Sequence, residues 1–150
     1  NVPYFSFIYA PEFSMFAHVC AGEEPLINGI PFFPNSRSLP ADLTLIDNYP
    51  EPRGYTLKVF QSLKLSSYYE CGSFGLKLLR ILLGHADLFV KNVSFYAWDV
   101  APAIHLFNSS HNKNCLYSLC HRSPLQLQFK YSDGLVALSS PSIKLSLPLP

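Results

Sequence analysis

The chain has 150 residues, 49% of them hydrophobic and 15% aromatic, which gives one ordinary domain with ample core material and excludes a disordered segment. A formal net charge of +1 excludes a nucleic-acid surface built on bulk charge. No apolar run approaches the roughly 20 residues that span a bilayer and no signal peptide is visible, so a membrane partner is not expected.

In chain order, Tyr4 to Tyr9 reads as a strand broken by Ala10-Pro11-Glu12, and Phe13 to Val19 as its partner. Pro25 to Ile27 is a short third strand, closed by the tight-turn pair Asn28-Gly29. Leu43 to Ile46 is a further strand, and Asp47 to Gly54 a surface loop rich in Pro, Asn and Gly. Tyr55 to Leu63 has helical spacing, and Tyr68 to Cys71 follows as a strand. Ser73 is a good N-cap for a helix over Phe74 to Leu83, with Lys77 and Arg80 as its charged edge and Gly84 as its C-terminal stop. Ala86 to Val90 reads as a buried-type strand, and residues 91–96 form a loop. Cys115 to Leu119, Leu125 to Phe129 and Leu135 to Leu138 read as short strands. The whole predicts an α/β unit over residues 1–140, a mixed sheet flanked by helices, with 141–150 as a loose proline-rich tail. The chain starts inside an apolar run, Val2 to Tyr9, which has the look of a partial chain. Cys20, Cys71, Cys115 and Cys120 are too sparse for a disulfide scaffold and read as reduced thiols, which points to the cytoplasm.

Chemistry concentrates at Tyr96-Ala-Trp-Asp-Val-Ala-Pro102. Val100, Ala103, Ile104 and Phe107 share a helical face, so Asp99 stands at a helix start, as an N-cap, with Pro102 in the first turn. The helix dipole favours an anionic group there. Locally, Asp99 can be a cap and nothing more.

A set of motifs in a fixed order adds to that reading. Ile8-Tyr-Ala-Pro-Glu-Phe-Ser-Met-Phe-Ala17, Cys71-Gly-Ser-Phe-Gly-Leu-Lys77, Gly84-His-Ala-Asp-Leu-Phe89, Trp98-Asp-Val-Ala101 and Gly134-Leu-Val-Ala137 follow one another along the chain. Together they resemble pieces of the metal-dependent inositol monophosphatase superfamily, from about Tyr4 to Ser140, in the family's order. The spacing from Asp87 to Asp99 resembles the 3′(2′),5′-bisphosphate nucleotidase branch most. The resemblance implies the C-terminal part of a layered sugar-phosphatase fold and Mg²⁺-dependent hydrolysis of a small phosphate monoester, such as a nucleotide or a sugar phosphate. It implies that Asp99 is a metal ligand, and that Gly72 and Ser73 offer backbone N–H groups near the substrate. Lys77 and Lys91 would meet its phosphate or nucleotide part, as point charges rather than bidentate forks. Where the inositol enzymes carry a Glu this chain has Lys91, which speaks against inositol.

The departures are specific. Ala10 replaces an Asp of the family's first hairpin, Phe107-Asn-Ser-Ser-His111 replaces a Gly-rich turn, and no Asp-x-x-Asp-Gly set exists among Asp42, Asp47, Asp87, Asp99 and Asp133. One carboxylate does not hold two hard cations, so the 150 residues alone are expected to bind Mg²⁺ weakly and hydrolyse nothing. Two other classes compete. His111, Cys115, Cys120 and His121 carry zinc-ligand chemistry at a spacing that fits no standard finger. A binding or dimerisation module that has lost its site would use Phe5, Phe7, Phe13 and Phe16 against a partner, a homodimer included.

Overall fold

A computed structural model of the chain describes residues 3–32, 42–110, 115–143 and 146–148. The first unit is an antiparallel meander: β1 (Phe5–Ala10), β2 (Met15–Cys20), β3 (Leu26–Ile27) and β4 (Ile30–Pro31), side by side in that order. A single 3-10 turn, Pro11–Phe13, joins the first two strands. The Asn28-Gly29 turn forms as its sequence requires, both residues having positive φ, and the Asn28 carboxamide also accepts the Phe16 N–H at 2.8 Å.

The second unit is a five-stranded mixed sheet. It comprises β5 (Thr44–Asp47), β6 (Ser67–Glu70), β7 (Leu88–Lys91), then β9 (Leu116–Ser118) and β11 (Leu135–Leu138), in the order β6-β5-β7-β11-β9. A two-stranded ribbon pairs β8 (Phe95–Tyr96) with β10 (Lys130–Tyr131). The helices are α1 (Gly54–Ser62), α2 (Phe74–Leu82) and α3 (Ala97–Ser109). β5 runs parallel to both β6 and β7. The crossover through α1 leads one way along the sheet and that through α2 leads back across β5, so right-handed connections put the two helices on opposite faces. α2 packs on β7 and β11, and also on α3 and β1, while α3 packs on β1 and β2. Two helices therefore lie between the two sheets, and Ser6 Oγ on β1 sits 3.0 Å from His105 Nδ1 on α3 in the buried seam.

Every residue of β11 is buried, as are Leu88, Phe89 and Val90 of β7, which is why both strands read as unbroken apolar runs. The meander differs. Ser6 and Ala10 face inward and are buried, while Phe5, Phe7 and Tyr9 on the other face are 47%, 52% and 60% exposed. The cross-strand register places Phe7 opposite His18 and Tyr9 opposite Phe16, and their rings touch along that outer face.

Several expectations are corrected. α3 begins two residues before Asp99: Tyr96 ends β8 in strand conformation, and the Ala97 N–H already bonds the Phe129 carbonyl at 3.0 Å. Asp99 is thus the third helical residue and not the N-cap, and its Oδ2 accepts the Tyr96 N–H at 2.9 Å. Pro102 falls at the sixth position, where it removes the i→i−4 donor of the Trp98 carbonyl. Lys77 is not an exposed helix edge but is 1% exposed. Asp47 belongs to β5 and is buried, accepting the Thr56 hydroxyl at 2.7 Å, rather than opening a surface loop. Leu125 to Phe129 is not a strand; pairing with β8 begins at Lys130. The expected loose tail contains Ile143 and Leu147, both buried, and the Tyr55 hydroxyl donates to the Pro148 carbonyl at 2.8 Å.

Candidate functional site

Two clefts open at helix starts, one at α2 and α3 and one at α1. The first, about 260 Å³, lies where the N-terminal turns of α2 and α3 meet β1. Ser73, Phe74 and Gly75 form one wall, Trp98, Asp99 and Pro102 the second, and Phe7 and Ile8 close it. The local sequence explains both helix starts. The Ser73 hydroxyl accepts the Leu76 N–H at 3.3 Å, and Asp99 accepts Tyr96 N–H, so each first turn is fixed by a side-chain oxygen. The positive dipole ends of two helices converge there, which favours an anionic ligand. Asp99 is half-buried, and among the described residues its second carboxylate oxygen makes no hydrogen bond. A Cβ on Gly72 or Gly75 would meet nothing within 4 Å, so packing within the chain does not demand either glycine.

The second cleft, about 300 Å³, sits at the carboxyl ends of β5 and β7. Sheet order reverses there, and such a switch point leaves a crevice in an open α/β sheet. Asp47 and Asn48 come from the end of β5, Arg53 and Gly54 from the start of α1, and Lys91 and Asn92 from the end of β7. The Arg53 guanidinium lies over the Tyr49 ring, 4.8 Å from its centre. α1 has no side-chain cap, so its first N–H groups are not satisfied by an N-cap side chain.

Of the residues singled out in the sequence, Ser73 and Asp99 line one cleft together, with Gly72 beside Ser73. Lys91 lines the other cleft. Lys77 lines neither: it lies inside, its ammonium donating to Asn48 Oδ1, to the Gly72 carbonyl and, at 3.2 Å, to the Cys71 carbonyl. Burial holds its pKa down at about 8. Asp47, Asn48 and Arg53 were not singled out, although the loop after a parallel strand is where an α/β sheet places ligand contacts.

Metal-ligand chemistry is thin. Among the described residues no three His, Cys, Asp or Glu side chains converge on a point. Mg²⁺ is bound octahedrally by oxygens, and Asp99 supplies one carboxylate, so the described residues do not by themselves fit such an ion. The zinc alternative fares no better. Cys115 is buried, Cys120 and His121 are exposed, His121 pairs with Asp133 at 3.5 Å, and His111 lies outside the described residues. All four cysteines are free. Among the described residues no helix is long and apolar enough to cross a membrane.

Neither a protein-family model nor a curated protein matches the chain. Solved structures do. Inositol monophosphatase II from Staphylococcus aureus MSSA476 is similar with a TM-score of 0.70 at 18% identity, covering 91% of this chain and 50% of that one. A Pyrococcus horikoshii protein with similarities to inositol-1 monophosphatase gives 0.69 at 16% identity, covering 93% and 53%. A dual inositol monophosphatase/NADP phosphatase complexed with Mg²⁺ and phosphate gives 0.71 at 18%, covering 91% and 50%. The chain thus has the fold of inositol monophosphatase family proteins and spans about half of their length.

Proposed function

We propose that the chain is the substrate-side part of a phosphatase for small phosphate monoesters. The observation that carries this reading is the convergence of Asp99 with the first turns of α2 and α3 in one cleft. The backbone N–H groups at Gly72 and Ser73 would receive the phosphate there, and the open space over Gly72 and Gly75 allows close approach. Lys91, with Arg53, would meet a second anionic group of a nucleotide-like substrate in the neighbouring cleft. Similar structures are described with inositol monophosphate and with 2′-AMP bound, so the fold accommodates both kinds of ligand in those proteins. Mg²⁺ is the cofactor this reading names, with Asp99 as one ligand and the remaining carboxylates outside residues 1–150. Free thiols suit a cytoplasmic setting.

The decisive experiment joins a Mg²⁺ titration by calorimetry, a phosphate-release assay on nucleoside bisphosphate and inositol monophosphate, and an inorganic phosphate titration followed by amide NMR. Weak Mg²⁺ binding, no turnover, and amide shifts strongest at residues 72–76 and 97–99 are expected. Turnover by the chain alone would overturn the expectation that these residues do not suffice, and the absence of phosphate shifts at 72–76 and 97–99 would sink the site.

A second reading has its own observation. The uncharged aromatic outer face of β1 and β2 suits a non-catalytic module that binds a partner or a second copy of the chain. Sedimentation velocity tests it: a stable dimer of the 150-residue chain favours this reading, and a monomer favours the first.

A further inference from the structure

We infer that Lys77 is a positioning residue whose ammonium ties the β6–α2 loop to the β5–α1 loop and so holds the walls of both clefts in one geometry. An ammonium has three donors and no acceptor. Here all three are matched: Asn48 Oδ1 from one loop, the Cys71 and Gly72 carbonyls from the other. Backbone bonding between the two segments ends on the Cys71 N–H to the Asp47 carbonyl at 2.8 Å, and Lys77 takes over one residue further on. Asn48 lines the Lys91 cleft, and Ser73, next to Gly72, lines the Asp99 cleft. A buried charge is costly unless fully bonded, and a methionine would fill the same space without it. The charge is therefore retained for the loops that it joins. The Phe89 ring, 5.3 Å from Nζ, closes the remaining side. Lys77 thus acts through the loops and does not touch the ligand.

Calling the clefts substrate sites rests on the proposed function; the tie itself is tested without substrate. Amide hydrogen exchange is followed in the wild-type chain, in Asn48→Ala and in Lys77→Met, with β11 amides as internal reference. In both variants the amides of residues 72–76 should exchange about tenfold faster while β11 keeps its wild-type rates. Should Lys77→Met fail to fold, Asn48→Ala, 29 residues away in sequence from Lys77, still carries the test. Unchanged exchange at 72–76 in Asn48→Ala would overturn the tie. So would wild-type exchange at 72–76 in a folded Lys77→Met. If phosphate does not bind yet Asn48→Ala loosens residues 72–76, the proposed function fails and the tie stands.

Discussion

Lys77 gives the sharpest thermodynamic test of the fold. Burial lowers its pKa from 10.5 to about 8, against the ammonium-favouring Cys71 thiol and Asp47 carboxylate and together with the repulsion of Lys91. Below pH 8 both folded and unfolded chains hold the proton, and stability does not change with pH through this group. Between about 8 and 10.5 the unfolded chain binds more protons than the folded one, so stability rises with pH. It is fully present above 10.5 and is lost as pH falls through 8. A displacement of that size corresponds to about 3 kcal/mol in all, most of it gained by pH 10. Other groups oppose it. Burial pushes Tyr68 and Cys115 up to about 12, so the unfolded chain loses their protons first and stability falls as pH rises. The informative quantity is therefore the difference between wild type and Lys77→Met, from urea unfolding at half-unit steps from pH 7 to 10. That difference should move by about 2–3 kcal/mol in favour of the wild type. A flat difference would show that the ammonium is solvated, and the interior placement of Lys77 would be wrong.

Three further outcomes follow from single contacts. Gly134 has φ +66°, and a Cβ there would collide with the Lys91 carbonyl, so Gly134→Ala should cost about 3 kcal/mol or more in urea unfolding. Asp99→Ala removes the acceptor for Tyr96 N–H and should cost about 1 kcal/mol, a fall of about 2–4 °C in Tm, while Asp99→Asn recovers most of it. Phe7→Thr, on the outer face of β1, should change the stability of the isolated chain by less than about 1 kcal/mol and lower its binding of a hydrophobic dye; a large loss would mean that the face is already covered.

Wherever period and punctuation agree, the elements could be read from residues. The Asn28-Gly29 turn, the Ser73 cap, the Gly84 stop and the apolar run Leu135 to Leu138 each have one reading, and each stands in the structure. Two of the misreadings share a cause. Asp47 and Lys77 are polar residues, and composition sends polar residues to the surface; Asp99 was misplaced only within the helix start, as the N-cap instead of the third helical residue. The partners of Asp47 and Lys77 lie elsewhere in sequence, Thr56 for the first and Asn48 for the second. No local pattern encodes such pairings. Ser73 and Asp99 were legible as helix-start residues, and the structure brings both to one cleft. The switch-point cleft was not, because it exists only once β7 is known to lie beside β5.

The meander joins the exposed aromatic face to the cleft that contains Asp99. A strand with water on one side alternates apolar with polar residues. β1 instead turns Phe5, Phe7 and Tyr9 outward, while its inward residues pack towards α3. Such a sheet has the composition of an inner layer, apolar on both faces. Phe7 belongs to that outer face and also lines the cleft that contains Asp99. Any layer that covers the rings therefore borders the carboxylate, and acidic side chains on that layer would reach the same cleft. Among the described residues Asp99 has no cluster of metal-ligating side chains around it and Phe7 is half exposed, and both lie on the same open side of the fold, so a polypeptide that covers the rings also changes the surroundings of the carboxylate.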